Sequence, residues 1–449
     1  MSLRDKAITE YHQMLAADAG LSAGIFENLR AAMRSKLLVY GDRPIGVALR
    51  PHFLERKQFE LLAKRAELVA SALEKVAAAA VESPAVMDEI GLTPLEAKLA
   101  LIDPGFSGSA ITSRMDGFVH GNQIKFVEYN AENPSSLSDQ EGLNRLLFAL
   151  PEMLAFAQRH RLRQFSPVET LLEALLATYW EWGGKDIPRV AIIDWHDVPT
   201  ANEFVLLRDH FVSHGVQTII CSPHSLEYAG GKLWCGDFPI DVVYKRIIIH
   251  EFLAHYDERH PLVRAYVHRD VCLVNPFRCK IMHKKAGFEL LTDEARQSWF
   301  TTEERKAIRD SVPWTRRLRD RRTTYRGDDV ELVKFVRQER ARLIIKPNDD
   351  YGGRGIYIGS RLREKEWDAA IETALAEDYV VQEAVDLYPE EFPIFDEKEW
   401  KLQSMFVDTN PFLFRGKVCG AMVRLSSSPV VNVTSGGGET GFFVLEPEA

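Results

Sequence analysis

Two acidic side chains that could share a metal ion occur in one short stretch of the chain, Ser113–Ser136 (SRMDGFVHGNQIKFVEYNAENPSS). Two segments with alternating apolar residues flank a Gly-Asn-Gln insert, which is typical of a turn between antiparallel strands. Pairing His120 with Ile124 around this insert places Asp116 directly opposite Glu128. The pattern therefore predicts a β-hairpin with two facing carboxylates.

Facing carboxylates on a hairpin, with Cβ atoms about 5 Å apart, repel each other unless a cation lies between them. Asn130 lies two residues after Glu128, so we expect its side chain on the same face of the strand. Oxygen ligands of this kind suit Mg²⁺, which proteins commonly bind through one or two carboxylates together with substrate phosphates. The alternative is a solvated face that tolerates the two acids, and the hairpin alone leaves both interpretations open.

A lysine followed by a glycine-rich turn occurs much later in the chain. Lys346 ends an apolar strand pattern and precedes a turn that contains Gly352, Gly353 and Gly355. Glycine lets backbone amides approach an anion closely, and lysine supplies a compact positive charge for phosphates. The alternative is a flexible hairpin, and the GxxxxGK[ST] pattern of a P-loop is absent.

A third segment, Val380–Val385 (VVQEAV), runs from an apolar strand pattern into an extended stretch. Its backbone around Gln382, Glu383 and Val385 could pair with the edge of an adenine ring. The alternative is a core strand with polar ends, which the segment taken alone favours.

The elements that must position these residues begin with helices. Residues 1–100 repeat apolar residues at three- and four-residue spacing, including the long run Phe53–Val81. Ser138–His160 predicts an amphipathic helix whose start has Ser138 and Glu141 at the spacing of a capping box. We expect the first hundred residues to shape a neighbouring site rather than to perform chemistry.

Strand and helix patterns then alternate, which predicts a mostly parallel sheet built from βαβ units. A further helix, Leu171–Trp182, precedes this region. The first strand is not followed by GxGxxG, so a dinucleotide site is not supported. The predicted strands are Arg189–Trp195, Gln217–Cys221, Asp241–Tyr244 and Val271–Val274, with a helix at about Thr200–His214.

The C-terminal part of the chain changes from charged helices to strands. Residues 277–340 are predicted to be helical, and their run Arg316–Thr323 (RRLRDRRT) is interpreted as a solvated helix face or an interdomain contact rather than a phosphate or RNA site. Strand patterns begin at Arg342, a helix is predicted at about Glu364–Ala376, and the tail Lys401–Leu445 alternates in short β segments.

Composition limits the class of protein. The chain has 449 residues, 46% of them hydrophobic, which is enough for two or three packed units. Its net charge of −9 argues against a general nucleic-acid binder. The five cysteines form no CxxC pair, the N-terminal segment is polar, and no stretch is apolar enough for a membrane span. These features predict a cytoplasmic protein with free thiols and no membrane or nucleic-acid partner.

The order of the motifs resembles the ATP-grasp superfamily in its circularly permuted form, as in glutathionylspermidine synthase and the eukaryotic-type glutathione synthetases. A Lys-Pro pair, a glycine-rich loop, a helix, a strand that ends in Gln-Glu and antiparallel strands follow one another, while FVEYN precedes them. The resemblance covers about Leu101–Leu445. Two departures are the absence of an attached amidase domain with a catalytic cysteine and a long arginine-rich insert between Lys285 and Lys346.

The resemblance implies an α/β (α+β) protein with an ATP-grasp fold in permuted order. It implies an N-terminal helical region at 1–100 and a hairpin and helix at 101–160 that belong to the ATP-grasp unit. A Rossmann-like domain at 161–276 and a nucleotide-binding domain at 277–449 would follow.

Site residues follow from the same resemblance. NPFRCKIMHKKAGFELL is similar to the family segment that supplies the first nucleotide lysine, and Lys285 matches it better than Lys284. The closing strand and loop, GAMVRLSSSPVVNVTSGGG, would bring Arg424, Asn432 and Gly436–Gly438 to the site. The implied metal ligands are Asp116, Glu128 and Asn130; the implied nucleotide residues are Lys285, Lys346, Gly352, Gly353, Gly355, Gln382, Glu383 and Val385; and the implied catalytic and substrate residues are Arg114, Arg424, Ser135, Ser136 and Asn432.

The implied activity is that of an ATP-dependent carboxylate–amine ligase that uses Mg²⁺ and an acyl-phosphate intermediate. Its partners would be a small-molecule or peptide carboxylate and an amine acceptor. Two alternatives stay open, namely a degenerate ATP-grasp scaffold that binds nucleotide without ligation and an ATP-dependent phosphotransferase on the same fold. Structural salt bridges are the alternative for Arg114 and Arg424, and plain turn residues for Ser135 and Ser136.

Overall fold

The computed structural model describes residues 2–17, 21–396, 399–429, 431 and 437–447. Its helices are α1 (Leu3–Ala17), α2 (Leu21–Ser35), α3 (Arg56–Glu82), α4 (Pro84–Ile90), α5 (Pro94–Ala100), α6 (Leu137–Phe148), α7 (Pro151–Ala157), α8 (Pro167–Trp182), α9 (Ala201–Ser213), α10 (Ile249–His255), α11 (Pro261–Val267), α12 (Cys279–His283), α13 (Ala286–Thr292), α14 (Thr302–Ser311), α15 (Leu332–Gln338) and α16 (Glu364–Ala376).

The strands are, in chain order, β1 (Val39–Tyr40), β2 (Arg43–Pro44), β3 (His52–Glu55), β4 (Thr112–His120), β5 (Gln123–Asn130), β6 (Leu162–Arg163), β7 (Val190–Ile193), β8 (Thr218–Cys221), β9 (Leu226–Ala229), β10 (Lys232–Cys235), β11 (Phe238–Ile240), β12 (Val242–Lys245), β13 (Cys272–Val274), β14 (Thr315–Arg317), β15 (Arg322–Tyr325), β16 (Asp328–Glu331), β17 (Leu343–Pro347), β18 (Tyr357–Ile358), β19 (Tyr379–Glu383), β20 (Pro389–Asp396), β21 (Glu399–Phe414), β22 (Lys417–Ser426), β23 (Gly438–Glu439) and β24 (Phe442–Leu445). The predicted mixed α/β class is confirmed. Within the part of the chain that the structure describes, every helix is too short or too polar to cross a bilayer.

An antiparallel sheet joins the early hairpin to the end of the chain. Its strand order is β23-β22-β21-β4-β5, with β20 also paired to β21. The contact between the two halves is the pairing of β4 with β21, in which Arg114 lies opposite Phe412. Hairpin residues 112–130 therefore share one sheet with residues about three hundred positions later in the sequence.

A second antiparallel sheet carries the Lys-Pro and Gln-Glu segments. Its order is β14-β19-β17-β18, and β17 pairs with β19 so that Lys346 lies opposite Val380. The side chain of Trp367 on α16 is buried against this sheet and donates its indole N–H to the carbonyl of Val336 at 2.9 Å. Burying a large aromatic ring with its N–H satisfied fixes the helix on the sheet.

The predicted parallel sheet is confirmed, with the order β13-β12-β7-β8 and parallel pairing throughout. All four residues of β7 are fully buried, as a central parallel strand covered on both faces requires. Helices α8 and α9 pack on one face through Leu171, Leu175, Leu207 and Phe211.

Several local predictions were wrong for identifiable reasons. The long helix begins at Arg56 because His52–Glu55 pairs in parallel with β24, and Phe53 is fully buried there. The predicted helix Ser138–His160 is two helices, α6 and α7, with Pro151 at the first turn of the second. The hydroxyl of Ser138 makes no hydrogen bond among the described residues, so the predicted capping box is not formed.

The charged region 277–340 is only partly helical. Its arginine run lies in β14, the following turn and the start of β15 rather than on a solvated helix face. Arg316 is buried and donates to Thr323 at 2.8 Å, while the guanidinium of Arg317 contacts Asp378 and the carbonyl of Asp88. These arginines therefore tie the second antiparallel sheet to α4 and to its own turns. The solvated helix face is wrong, and the interdomain contact stays a prediction. The tail also differs from the prediction, because β21 and β22 are long strands rather than short segments.

Candidate functional site

A cleft of about 730 Å³ lies between the two antiparallel sheets. Strands β4, β5, β21 and β22 contribute to one wall, and β17, β19 and the glycine-rich turn contribute to the facing wall. The predicted site residues that line the cleft are Arg114, Asp116, Glu128, Asn130, Ser135, Ser136, Lys346, Gly352, Gly353, Gln382, Glu383, Val385 and Arg424. Lys285 and Gly355 lie outside its lining, and Asn432 and Gly436 lie outside the described residues.

The hairpin brings Asp116 opposite Glu128, but by a different route from the predicted one. His120 pairs with Gln123 rather than with Ile124, so the turn has two residues, and Gly121 takes a positive φ of 56° there. A bulge between Asp116 and Gly117 then shifts the register by one residue, which restores the Asp116–Glu128 pair. Both residues of the restored pair line the cleft.

Asp116 lies between two arginines. Arg114 donates from Nε to Oδ1 at 2.7 Å and from Nη2 to Oδ2 at 3.1 Å, while Arg424 donates from Nη2 to Oδ2 at 2.8 Å. Asn130 adds a bond from Nδ2 to Oδ1 at 3.1 Å. Burial alone would raise the pKa of the Asp116 carboxyl, but the charges and hydrogen bonds of Arg114 and Arg424 lower it to about 2. The carboxylate is therefore ionised and accepts from four N–H groups.

Arg424 is held by a second acid that the sequence analysis missed. Asp408 lies opposite it on β21, and Oδ2 of Asp408 accepts from Nη2 of Arg424 at 2.5 Å and from Nε at 2.9 Å. Asn410 donates to the same carboxylate at 2.7 Å and accepts the amide of Gly117 at 3.0 Å. Asp408 and Asn410 are two residues apart and so lie on one face of the strand, and this spacing was the signal that could have revealed the acidic partner of Arg424. The guanidinium of Arg424 thus bridges two buried carboxylates and has a fixed position.

Lys346 extends into the cleft from the facing wall. Its Nζ donates to Oε1 of Gln382 at 2.8 Å, and Gln382 in turn donates to the hydroxyl of Thr315 at 3.0 Å. Burial lowers the pKa of Lys346 to about 8, while the charge of Glu128 acts in the opposite direction. The hairpin and the Lys-Pro strand are therefore close enough for their charges to interact.

The two neighbouring lysines of the HKK segment point to different partners. Nζ of Lys285 lies 3.3 Å from Oε1 of Glu128 and donates to the carbonyl of Asp350 at 2.8 Å. Nζ of Lys284 lies 2.7 Å from Asp349 and 3.4 Å from Glu96, away from Glu128. Of the pair, Lys285 is the one beside the predicted metal ligand.

The glycine-rich turn lies over the cleft and is anchored at both of its edges. Gly352 and Gly353 have positive φ angles of 74° and 76° and line the cleft. Gly355 has a structural role instead, because an added Cβ would lie 2.8 Å from Pro347. Tyr351 donates to Glu251 on α10 at 2.8 Å, which connects the turn to the segment beside the parallel sheet.

The start of that turn is held by a buried ionic cluster that the sequence analysis did not find. Nζ of Lys280 lies 2.6 Å from Glu132 and 2.7 Å from Asp349. His283 is buried beside both acids, and burial lowers its pKa to about 4. The cluster therefore fixes Asp349, the first residue after the Lys-Pro-Asn segment, to the protein core.

The other end of the cleft carries further carboxylates that come from distant parts of the chain. Glu203 on α9 pairs with Arg246 at 3.2 Å, and Ser136 donates to Oε1 of Glu439 at 2.9 Å. Oε2 of Glu439 is buried without a hydrogen bond among the described residues, and burial raises the pKa of its carboxyl to about 7. Asp139 lines the same end, and burial raises its pKa well above the usual range. Ser135 accepts from Arg114 through its carbonyl at 3.3 Å.

One glycine of the closing segment has a packing role. Gly438 is buried, and an added Cβ would lie 2.2 Å from Val47, so this glycine serves close packing. Val431 is described and lines the cleft.

Comparisons with known proteins show the fold. No family model matches the chain, and no curated protein sequence matches it. Among solved structures, it is similar to a glutathione synthetase-like effector from Globodera pallida in its apo form, with a TM-score of 0.58 and 13% identity over 94% of this chain and 96% of that chain. A candidate gamma-glutamylcysteine synthetase from Methylobacillus flagellatus KT is also similar, with a TM-score of 0.41 and 14% identity over 85% and 86% of the two chains. The chain therefore shares its α/β fold with a synthetase-like protein over almost its whole length.

Proposed function

We propose that this chain is an ATP-dependent carboxylate–amine ligase with an ATP-grasp fold in circularly permuted order. The observation that supports the proposal is that Glu128 and Asn130 on an early hairpin and Lys346 on a late strand line the same cleft. Polar oxygens for a metal ion and a buried ammonium for phosphates are the two requirements of a magnesium–nucleotide site.

The proposed division of the chain follows the strand pairing. Residues 101–160 would belong to the ATP-grasp unit, because β4 pairs with β21 in the C-terminal sheet. Residues 161–276 would form the Rossmann-like domain around the parallel sheet, and 277–449 the nucleotide-binding domain. The N-terminal region 1–100 would support both, since β3 pairs with β24.

The lysines fit a polyphosphate. Lys346 is buried, and its hydrogen bond within the described residues is to a neutral amide oxygen rather than to a carboxylate. A buried ammonium without a directly bonded counter-ion gains strongly from an anion. We assign Lys346 and Lys285 to the phosphates, the amides around Gly352 and Gly353 to the same group, and the backbone of Gln382–Val385 to the base.

The hairpin fits Mg²⁺ through Glu128 and the side-chain oxygen of Asn130. Glu128 is partly exposed, and Lys285 is its ion-pair partner among the described residues. Asp116 already accepts four N–H groups, so it would join a metal ion only by giving up one bond to Arg114 or Arg424. Its primary role in the proposal is to orient the two arginines and Asn130.

ATP, when bound with Mg²⁺, supplies the phosphoryl group that would activate a substrate carboxylate as an acyl phosphate for displacement by an amine. The chain's own contribution is to position and to stabilise charge. Arg114 and Arg424 are held rigidly by Asp116 and Asp408, so their guanidinium groups would stabilise developing oxyanions without reorganisation. The glycine-rich turn, linked to α10 by Tyr351, would exclude water.

The test is to incubate the protein with Mg-ATP and pools of small carboxylates and dipeptides, with and without pooled amines, and to measure ADP and phosphate. A ligase releases both products only when both partners are present. A phosphotransferase forms a stable phosphorylated product with one partner, and a scaffold binds ATP without turnover; either result would overturn the proposal. Glu128→Gln, which keeps the shape of the side chain, should bind ATP and lose turnover.

A further inference from the structure

A cluster of two histidines and a glutamate lies on the outer face of the parallel-sheet region, apart from the lining of the cleft. His210 lies in the last turn of α9, His214 directly follows that helix, and Glu169 lies in the first turn of α8. Oε2 of Glu169 is 2.9 Å from Nε2 of His210 and 3.3 Å from Nε2 of His214. The i, i+4 spacing places both rings on one side of α9.

The hydrogen bonds of His214 determine which of its ring nitrogens carries the proton. Its Nδ1 lies 2.8 Å from the carbonyl of His210, and a carbonyl can only accept, so Nδ1 is the N–H donor. Ser213 donates its hydroxyl to the same carbonyl at 2.7 Å and can accept from Nδ1 at 3.1 Å. In the neutral ring, Nε2 therefore presents a lone pair to the cluster.

That lone pair points at another acceptor. The carboxylate of Glu169 lies 3.3 Å from Nε2 of His214. If His214 is neutral, both groups present electron pairs to each other, so the contact is favourable only with a cation between them. A metal ion is a cation that this arrangement suits, because a metal-binding histidine commonly donates its second ring N–H to a backbone carbonyl, as His214 does to that of His210.

The spacing of the ligand atoms also fits a metal ion. The three atoms lie within 4.8 Å of one another. In a tetrahedral site with metal–ligand bonds of about 2.1 Å, two ligand atoms lie about 3.4 Å apart. The observed separations of 2.9 and 3.3 Å from Glu169 are close to that value, so small side-chain rotations suffice.

A second cluster with similar residue types shows the contrast. Glu132, His283 and Asp349 also lie together, but the ammonium of Lys280 is 2.6 Å from Glu132 and 2.7 Å from Asp349. That cluster already contains its cation. The group on α8 and α9 has none among the described residues, and its members are half-exposed and accessible to an ion.

We infer that Glu169, His210 and His214 form a binding site for a divalent transition-metal ion, with Zn²⁺ as the best match and water in the fourth position. Two imidazoles and one carboxylate suit zinc and disfavour Mg²⁺ and Ca²⁺, which prefer oxygen ligands. The ion would clamp the end of α9 to the start of α8. The site does not depend on the proposed ligase activity.

The test is a competition titration of Zn²⁺ against a chromophoric indicator at pH 7.5, with the full chain. We expect one site per chain with micromolar or tighter affinity, at least tenfold weaker in His214→Ala and in Glu169→Gln, and not displaced by millimolar Mg²⁺. Co²⁺ should give the visible absorption of a four-coordinate ion in the wild type and lose it in both variants.

His268→Ala is the matched control, because Nδ1 of His268 also lies 2.8 Å from the carbonyl four residues earlier, that of Arg264, but His268 lies outside the cluster. This variant should keep full zinc affinity. Zinc binding that is absent from the wild type, or that is unchanged in His214→Ala, would overturn the inference. Circular dichroism of each variant checks that a lost site is not a lost fold.

Discussion

Replacing Lys346 with methionine should stabilise the nucleotide-free protein while weakening ATP binding. Burial lowers the pKa of Lys346 from 10.5 to about 8, so keeping its ammonium charged at pH 7 costs the folded state roughly 3 kcal/mol. Methionine has a similar length and removes this cost. It also leaves Oε1 of Gln382 without its 2.8 Å bond, which costs about 1 kcal/mol. The expected net gain in the free energy of unfolding is about 2 kcal/mol.

The same change removes a charged hydrogen bond to a phosphate, which is worth about 1.5–3 kcal/mol. ATP affinity should therefore fall by about 10- to 100-fold. The assays are urea denaturation without ligand at pH 7 and calorimetric titration with Mg-ATP.

The pH dependence of the free energy of unfolding gives a second test of the same prediction. A lysine whose folded-state pKa is lowered destabilises the protein fully below about pH 8, and the penalty disappears as pH rises toward 10.5, where the unfolded chain also deprotonates. The stability advantage of Lys346→Met should therefore shrink between pH 8 and 10.5.

Lys284→Met is the control, because Lys284 is equally buried but pairs with Asp349 at 2.7 Å. Removing it leaves buried acid less compensated and should destabilise the protein by about 3 kcal/mol. If Lys346→Met is less stable than the wild type and binds Mg-ATP equally well, the assignment of Lys346 as an unsatisfied phosphate-binding cation is refuted.

Three further outcomes are expected. Glu128→Gln should abolish ligase turnover while changing the free energy of unfolding by less than about 1 kcal/mol, since Glu128 is partly exposed; unchanged ADP release would remove the metal assignment. Arg424→Gln should destabilise the protein by about 3–5 kcal/mol in urea denaturation, because Asp408 and Asp116 are left as buried, poorly paired charges. An unchanged free energy of unfolding would show that Arg424 does not compensate these two carboxylates. Burial raises the pKa of the Glu439 carboxyl to about 7, so its ionisation should lower the free energy of unfolding as pH rises from 4.5 to about 7. Glu439→Gln should remove this decrease from a plot of the free energy of unfolding against pH, and a plot identical to that of the wild type would contradict the burial argument.

The facing acids could be predicted from the sequence, but not the details that produce them. Asp116 and Glu128 share a face only in a register that pairs them, because a slip of one residue would move one of them to the other face. The prediction used a three-residue insert, whereas the structure has a two-residue turn and a bulge before Gly117. The two differences cancel, because a bulge adds one residue to one strand, and an apolar pattern does not reveal where that residue is.

The arginine run shows why charged segments mislead. Arginine is usually exposed, so Arg316 and Arg317 were expected on a solvated helix face or at an interdomain contact. They lie instead on a strand and are buried, because Asp378 and several carbonyls from other segments satisfy them. Those partners become adjacent only after folding, and no local pattern contains them.

The acidic end of the cleft could not be predicted for the same reason. The sequence analysis did not single out Glu203 or Glu439, and they are buried because α6, α9 and the closing strand meet there. The Asp408–Arg424 pair was closer to being predictable, since its two strands are consecutive in the chain. Its detection required the register of a long hairpin, which the expected short segments did not provide.

The most direct test of the central claim is a crystal structure with Mn²⁺ and a non-hydrolysable ATP analogue, in which anomalous scattering locates the metal. The expected result is a manganese ion bound by Glu128 and Asn130 at about 2.1–2.2 Å, with the triphosphate extending to the ammonium of Lys346. A nucleotide bound outside the cleft, or a metal ion that does not contact Glu128, would contradict the account.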